Sequence, residues 1–129
     1  MAEKAVVHTD NAPAPLQGAP YSQAVRYGDL VFVAGQVALS PGHGALVGDS
    51  IEEQTERVCK NLEAILDAAG SSFAQVLNTT IYLTDFADYS RVNEVYGRYV
   101  GDKPPARATV QVTALPAGAR VEIAVVAHV

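Results

Sequence analysis

From Tyr21 onward the apolar positions first recur in short runs with the period of a strand. Tyr21–Tyr27 and Leu30–Gln36 read as two strands, with Gly28-Asp29 as the hairpin turn between them. Pro41, Gly42, Gly44 and Gly48 make residues 40–49 an exposed loop. The period then lengthens to that of a helix. Ser50-Ile51-Glu52-Glu53 is a capping box, in which the serine accepts from the backbone and Glu53 returns the bond. Ile51, Val58, Leu62, Ile65 and Ala69 fall on one stripe of this helix, which stops at Gly70. Alternation returns over Val76–Thr84, where Asn78, Thr80, Tyr82 and Thr84 oppose Leu77, Thr79, Ile81 and Leu83. Asp88 is placed to cap a second helix to about Val100, with Val92, Val95, Tyr96 and Tyr99 on its inner face. Two last strands follow, Pro104–Val110 and Arg120–Val126, joined through Leu115-Pro116-Ala117-Gly118.

The order ββαβαββ predicts an α+β fold: one mostly antiparallel or mixed sheet over residues 21–129, with two helices on one face. Residues 1–20, with Pro13, Pro15 and Pro20 and few large apolar side chains, read as an extended or mobile arm rather than a domain. The last strand is apolar on both sides. Val121, Ile123, Val125 and Ala127 fall on one face, yet Ala124 and Val126 on the other are apolar too. Two helices cover one face only, so either a symmetric oligomer covers the other or two small residues are simply exposed.

Composition narrows the classes. A chain of 129 residues with 49% hydrophobic and 18% charged residues fits one domain with a core of its own. A net charge of −5 without a Lys/Arg cluster argues against nucleic acid as a partner. A single cysteine, Cys59, precludes an internal disulfide and a cysteine-based zinc cage, and beside the helix stripe it reads as a core residue. His8, His43 and His128 match no metal-ligand spacing, so no metal is expected. Met1–Pro15 lacks the apolar run of a signal peptide and the arginine-rich character of a transit peptide. No stretch reaches membrane-spanning length, and a cytoplasmic protein is the expectation.

Two charges interrupt the last two strands: Arg107 behind Pro104-Pro105, and Glu122 within Val121–Val126. A charge in an apolar strand is costly to bury unless it is paired or used. A guanidinium and a carboxylate on neighbouring strands suit a small carboxylate substrate and proton transfer beside it. A structural ion pair or an edge-strand charge explains them equally well on placement alone. Matching core-facing rows put Glu122 on the face of Arg107. A tight hairpin around Ala117 then pairs Gln111 with Glu122 and leaves Arg107 four residues on, roughly 13 Å away. Direct contact within one chain is therefore disfavoured. Either the strands are not simple hairpin partners, or the site gathers groups from more than one region or subunit.

Five segments in order resemble one family. They are Ala19-Pro20-Tyr21-Ser22-Gln23-Ala24, Val33-Ala34-Gly35-Gln36, Val92-Asn93-Glu94-Val95-Tyr96, Pro105-Ala106-Arg107 and Val121-Glu122-Ile123. Together they resemble the RidA/YjgF family of reactive-intermediate imine deaminases, over most of the chain. The resemblance implies a chorismate-mutase-like fold and a homotrimeric barrel with helices outside and sites between subunits. It implies hydrolysis of 2-imino acids, formed from 2-aminoacrylate or 2-aminocrotonate released by pyridoxal-phosphate dehydratases, to 2-keto acids and ammonia without a cofactor. Arg107 then grips the planar carboxylate with its fork of donors. Glu122 orients or deprotonates the water and shuttles a proton to nitrogen. At Gly35, which lacks a Cβ, the backbone can approach the ligand. Tyr21 and Asn93 match positions that line the cleft. Packing at a strand start explains Tyr21 as well as ligand contact does, and Asn93 can also be an exposed polar residue of its helix.

Two positions depart from the family pattern. Ala34 stands where many members have a serine able to contact the ligand. Thr109, a substrate-contact position by the resemblance, stands where a cysteine is common, so a covalent thiol mechanism is not open to this chain. Two other functions compete: ligand sensing without turnover, and the RNA-directed activity described for family members. Retention of both Arg107 and Glu122 favours the enzyme, since binding alone needs only the arginine. The acidic balance makes the RNA reading the weakest.

Overall fold

The structure is a computed structural model that describes residues 3–42 and 44–129; His43 and the first two residues of the N-terminal arm lie outside the described residues. Its strands are β1 (Ala5–Val7), β2 (Ala24–Tyr27), β3 (Leu30–Gln36), β4 (Val76–Leu83), β5 (Ala106–Gln111) and β6 (Val121–His128). The helices are α1 (Ile51–Ala68) and α2 (Tyr89–Val100). The six strands form one mixed sheet in the order β1-β2-β3-β6-β4-β5. This is the α+β layering that the sequence pattern predicts, with one strand added at the front.

That added strand belongs to the arm. Ala5–Val7 pairs antiparallel with β2, and the following arm residues are held by one buried side chain. Gln23 accepts from the Thr9 N–H through Oε1 at 2.7 Å, and its Nε2 donates to the carbonyls of Thr9, Ala12 and Pro13. A buried amide with its hydrogen-bonding capacity used in this way fixes the arm against the sheet.

Local signals account for most of the rest. Gly28 takes φ +58 in the two-residue turn that pairs Tyr27 with Leu30. Ser50 and Glu53 make both halves of the capping box at the start of α1. Ile51, Val58, Cys59, Leu62, Ile65 and Leu66 of α1 are buried against the sheet. Cys59 is thus a core residue, and burial pushes its thiol pKa well up, the opposite of an activated nucleophile. Along β4 the alternation holds, and Thr79, Ile81 and Leu83 are buried on the helix side. Leu77 does not, because the register with β6 shifts between Val76 and Asn78; Val76 takes the buried place and Leu77 is exposed.

Asp88 departs from its expected role. It stands at the N-cap position of α2 but its side chain caps no N–H. Its carboxylate is buried and accepts from Arg120 Nη2 at 3.0 and 2.9 Å and from Arg91 Nη2 at 3.0 Å. Two guanidinium groups outcompete a backbone amide for those oxygens because charged donors make the stronger bonds. The pair ties the start of α2 to the residue preceding β6.

The last two strands decide an alternative that the sequence leaves open. They are not hairpin partners: β4 lies between them, parallel to β5 and antiparallel to β6. A chain that leaves β4, runs through α2 and returns as β5 makes a helical crossover, which delivers a parallel strand. Val121, Ile123, Val125 and Ala127 are buried under the helices as predicted. On the opposite face Phe32 and Val110 are exposed and Ala124 and Val126 are half-buried, with no helix over them among the described residues.

Candidate active site

Arg107 lies beside Thr79 in the β4–β5 ladder, on the helix side of the sheet. Its guanidinium reaches α2. Nη1 donates to Asn93 Oδ1 at 2.8 Å and Nη2 donates to Tyr89 Oη at 2.9 Å. The rings of Tyr89 and Tyr96 each lie with their centroid 5.5 Å from Cζ, within reach of a cation–π attraction. Arg107 stands on the edge strand of the sheet but is not a bare charge there, and among the described residues it makes no ion pair. Neutral acceptors and aromatic faces hold it, and its positive charge is left uncompensated for an anion. Asn93 is partly buried in this cluster rather than standing free on its helix. Thr109, two residues along β5 on the same face, has its Oγ1 buried without a hydrogen-bond partner among the described residues.

Glu122 pairs with Tyr82 across the β4–β6 ladder. It alternates with the buried row of β6 and so faces away from the helices. Matched core-facing rows would put it on the face of Arg107; the structure puts the two on opposite faces, because the interposed β4 sets each strand's pleat independently of a hairpin. Glu122 opens on a cavity of about 240 Å³ lined by Leu16, Tyr21, Ala34, Gly35, Val37 and Pro116. Burial raises the pKa of its carboxyl above the usual glutamate value.

Gly35 owes its place to that carboxylate. The β3–β6 register shifts between Val33 and Gln36, and the bulge brings the Gly35 backbone against Glu122. A Cβ built on Gly35 would lie 2.3 Å from Glu122 Oε2. The missing side chain thus makes room for the glutamate itself, beyond easing a ligand's approach. Tyr21 lies before β2 rather than within it. Its Oη accepts from the Leu16 N–H at 2.8 Å and so fixes one wall of the cavity.

The candidate residues therefore fall into two halves. Asn93, Arg107 and Thr109 sit between β5 and α2; Tyr21, Gly35 and Glu122 sit at the cavity on the other face. Tyr89 belongs to the first half and was not singled out in the sequence. It stands four positions before Asn93, hence on the same helix face, a spacing that would have found it. Among the described residues no cluster of three or more His, Cys, Asp or Glu side chains could hold a metal, and no helix is long and apolar enough to cross a membrane.

Comparison with known proteins settles the relationship. Residues 9–129 match the family described as Endoribonuclease L-PSP. The chain belongs to the RidA/YjgF family. It is 50% identical over 129 residues to protein DfrA of Myxococcus xanthus, covering 98% of this chain and 96% of that one. It is 45% identical over 122 residues to the 2-iminobutanoate/2-iminopropanoate deaminase of Mus musculus, covering 95% and 89% of the two chains. The crystal structure of E. coli TdcF with bound serine superposes with a TM-score of 0.89 at 32% identity, over 97% of this chain and 98% of that one. The RidA/YjgF family thus includes deaminases as well as relatives whose names state no activity.

Proposed function

We propose that this chain hydrolyses 2-imino acids such as 2-iminobutanoate and 2-iminopropanoate to 2-keto acids and ammonia. In this reading it works as a homotrimer, in which the Arg107 half of one copy meets the Glu122 half of the next. The observation that carries the reading is the placement of Arg107 and Glu122 on opposite faces of one sheet, each unpaired with the other and each next to the groups the chemistry needs. The uncovered apolar face with Phe32, Val110, Ala124 and Val126 supports self-association. The mouse relative bears the name of this activity, and serine in the E. coli relative has the same carboxylate next to a nitrogen-bearing carbon.

The residues divide the work. Arg107, held by Asn93 and Tyr89, grips the substrate carboxylate and presents C2 of the protonated imine to the cavity of Glu122. Water adds to C2 while the Glu122 carboxylate takes one of its protons, giving a neutral carbinolamine. Glu122 returns that proton to nitrogen. The C–N bond then breaks, the hydroxyl proton passes to Glu122 as C=O forms, and ammonia leaves and carries that proton away. A carboxyl with a raised pKa suits a group that must hold and release a proton in turn. No cofactor enters these steps; the precursors come from pyridoxal-phosphate dehydratases.

Ligand sensing without turnover requires the arginine alone, and gives no reason to desolvate a glutamate beside the cavity. An RNA substrate is disfavoured by the net charge of −5, which opposes phosphate binding. The test is to generate 2-iminobutanoate with threonine dehydratase and trap the surviving imine with semicarbazide. Wild type should deplete the trapped product; Arg107→Ala should fall by on the order of 100-fold or more while keeping the wild-type oligomer. Equal trapping with and without wild-type protein would refute the activity on this substrate.

A further inference from the structure

Tyr89 is the first residue of α2, and 38% of its surface remains exposed. Its ring packs edge-on against Phe86 with centroids 5.0 Å apart, and Phe86 is in turn fixed to β5 through its N–H, which donates to Gln111 Oε1 at 2.8 Å. The ring position is therefore set by α2 and β5 together. Its hydroxyl accepts from Arg107 Nη2 at 2.9 Å, while Asn93 takes Nη1 on the other branch of the fork at 2.8 Å. Two acceptors on two branches fix both the plane of the guanidinium and its direction. A hydroxyl that accepts from a cation keeps its own proton to donate, and the cation makes that proton a better donor.

We propose that Tyr89 is a carboxylate-binding residue of this site: it locks the Arg107 fork and donates its O–H proton to the carboxylate that the fork grips. The assignment rests on the deaminase reading for the identity of the substrate, but not for the contact itself, which any small 2-keto acid tests. It also states a preference. A ligand whose carboxylate is replaced by a neutral amide loses the strong acceptor for both Arg107 and Tyr89, so Tyr89 sharpens the choice of anions over neutral analogues.

Tyr89→Phe keeps the ring, the Phe86 contact and the cation–π attraction and removes only Oη. We expect KM for 2-iminobutanoate and Kd for 2-oxobutanoate to rise about 10-fold, with kcat within twofold and an unchanged melting temperature. The preference for 2-oxobutanoate over 2-oxobutanamide should fall by a similar factor, which a merely structural role would not produce. KM and Kd within twofold of wild type would overturn the assignment, as would a fall in kcat alone. If wild type binds 2-oxobutanoate but turns over no imine, the deaminase reading fails and the Kd series still decides Tyr89. If wild type binds no 2-oxobutanoate at all, the Tyr89 assignment fails as well.

Discussion

Arg107 and Glu122 stand two strands apart in one sheet, and they are prepared in opposite ways. Arg107 is surrounded: two neutral acceptors and two aromatic rings orient a charge without neutralising it. Glu122 is desolvated beside a cavity, against a glycine that makes room for it, and its proton affinity is raised. The first arrangement suits binding, since a pre-oriented fork loses little entropy when it closes on a carboxylate. The second suits chemistry, since the free energy stored in a half-buried carboxylate is released when it takes a proton. Keeping the two on opposite faces also keeps them from neutralising each other as an ion pair within one chain.

The largest expected effect separates these roles. Glu122→Gln should lower kcat for imine hydrolysis by about 1,000-fold while leaving the Kd for 2-oxobutanoate within threefold, measured by stopped-assay kinetics and calorimetry. A comparable loss of keto-acid binding would erase the distinction between a binding half and a chemical half. Next comes subunit complementation. Arg107→Ala and Glu122→Gln chains, each nearly inactive, should regain about a quarter of wild-type activity when denatured and refolded together, because random mixing pairs an intact Arg107 with an intact Glu122 at one interface in four. No recovery in a mixed oligomer confirmed by native mass spectrometry would place both residues' work within single chains.

Gly35→Ala probes the close approach. The atom it would strike is the far end of Glu122, which can swing away, so stability should change by less than about 1 kcal/mol. Activity should nonetheless fall roughly 10- to 100-fold, because a displacement of about 1 Å at a catalytic group has that effect. Wild-type kcat in this variant would show that the carboxylate's position is not critical.

The smallest effects concern pH. The raised pKa of Glu122 means that kcat/KM should fall on acidification with a midpoint above the ordinary glutamate value of about 4.3. The stability consequence runs the other way. A carboxyl whose folded pKa exceeds its unfolded one binds more protons when folded, so its contribution is fully present below the unfolded pKa and is lost as pH rises through the folded pKa. Glu122→Gln, which carries no charge to desolvate, should therefore melt at or above the wild-type temperature at pH 8. A clear drop in that melting temperature would mean that the charged form makes a stabilising contact.

Much of this was legible along the chain. The capping box, the apolar stripe of α1, the Gly28-Asp29 turn and the alternation of β6 are local patterns, and local backbone preference reproduces them. The misplaced features all depend on partners distant in sequence. Asp88 looks like a cap until Arg120, thirty-two positions on, supplies a stronger donor. Leu77 looks buried until a register shift against β6 turns it out. The β4–α2–β5 segment did carry its own signal, since a helical crossover predicts a parallel pair, but the short turn before β6 suggested a hairpin more loudly.

The sequence by itself determined both helices and every strand except the first, because period and caps are written position by position, and its family motifs marked out the six candidate residues. Only the tertiary structure decided that Arg107 and Glu122 face apart, that Tyr89 completes the arginine's setting and that Gly35 makes space for the glutamate. Those facts follow from strand order and pleat, which are set when segments far apart in the chain compete for the same neighbours in one sheet.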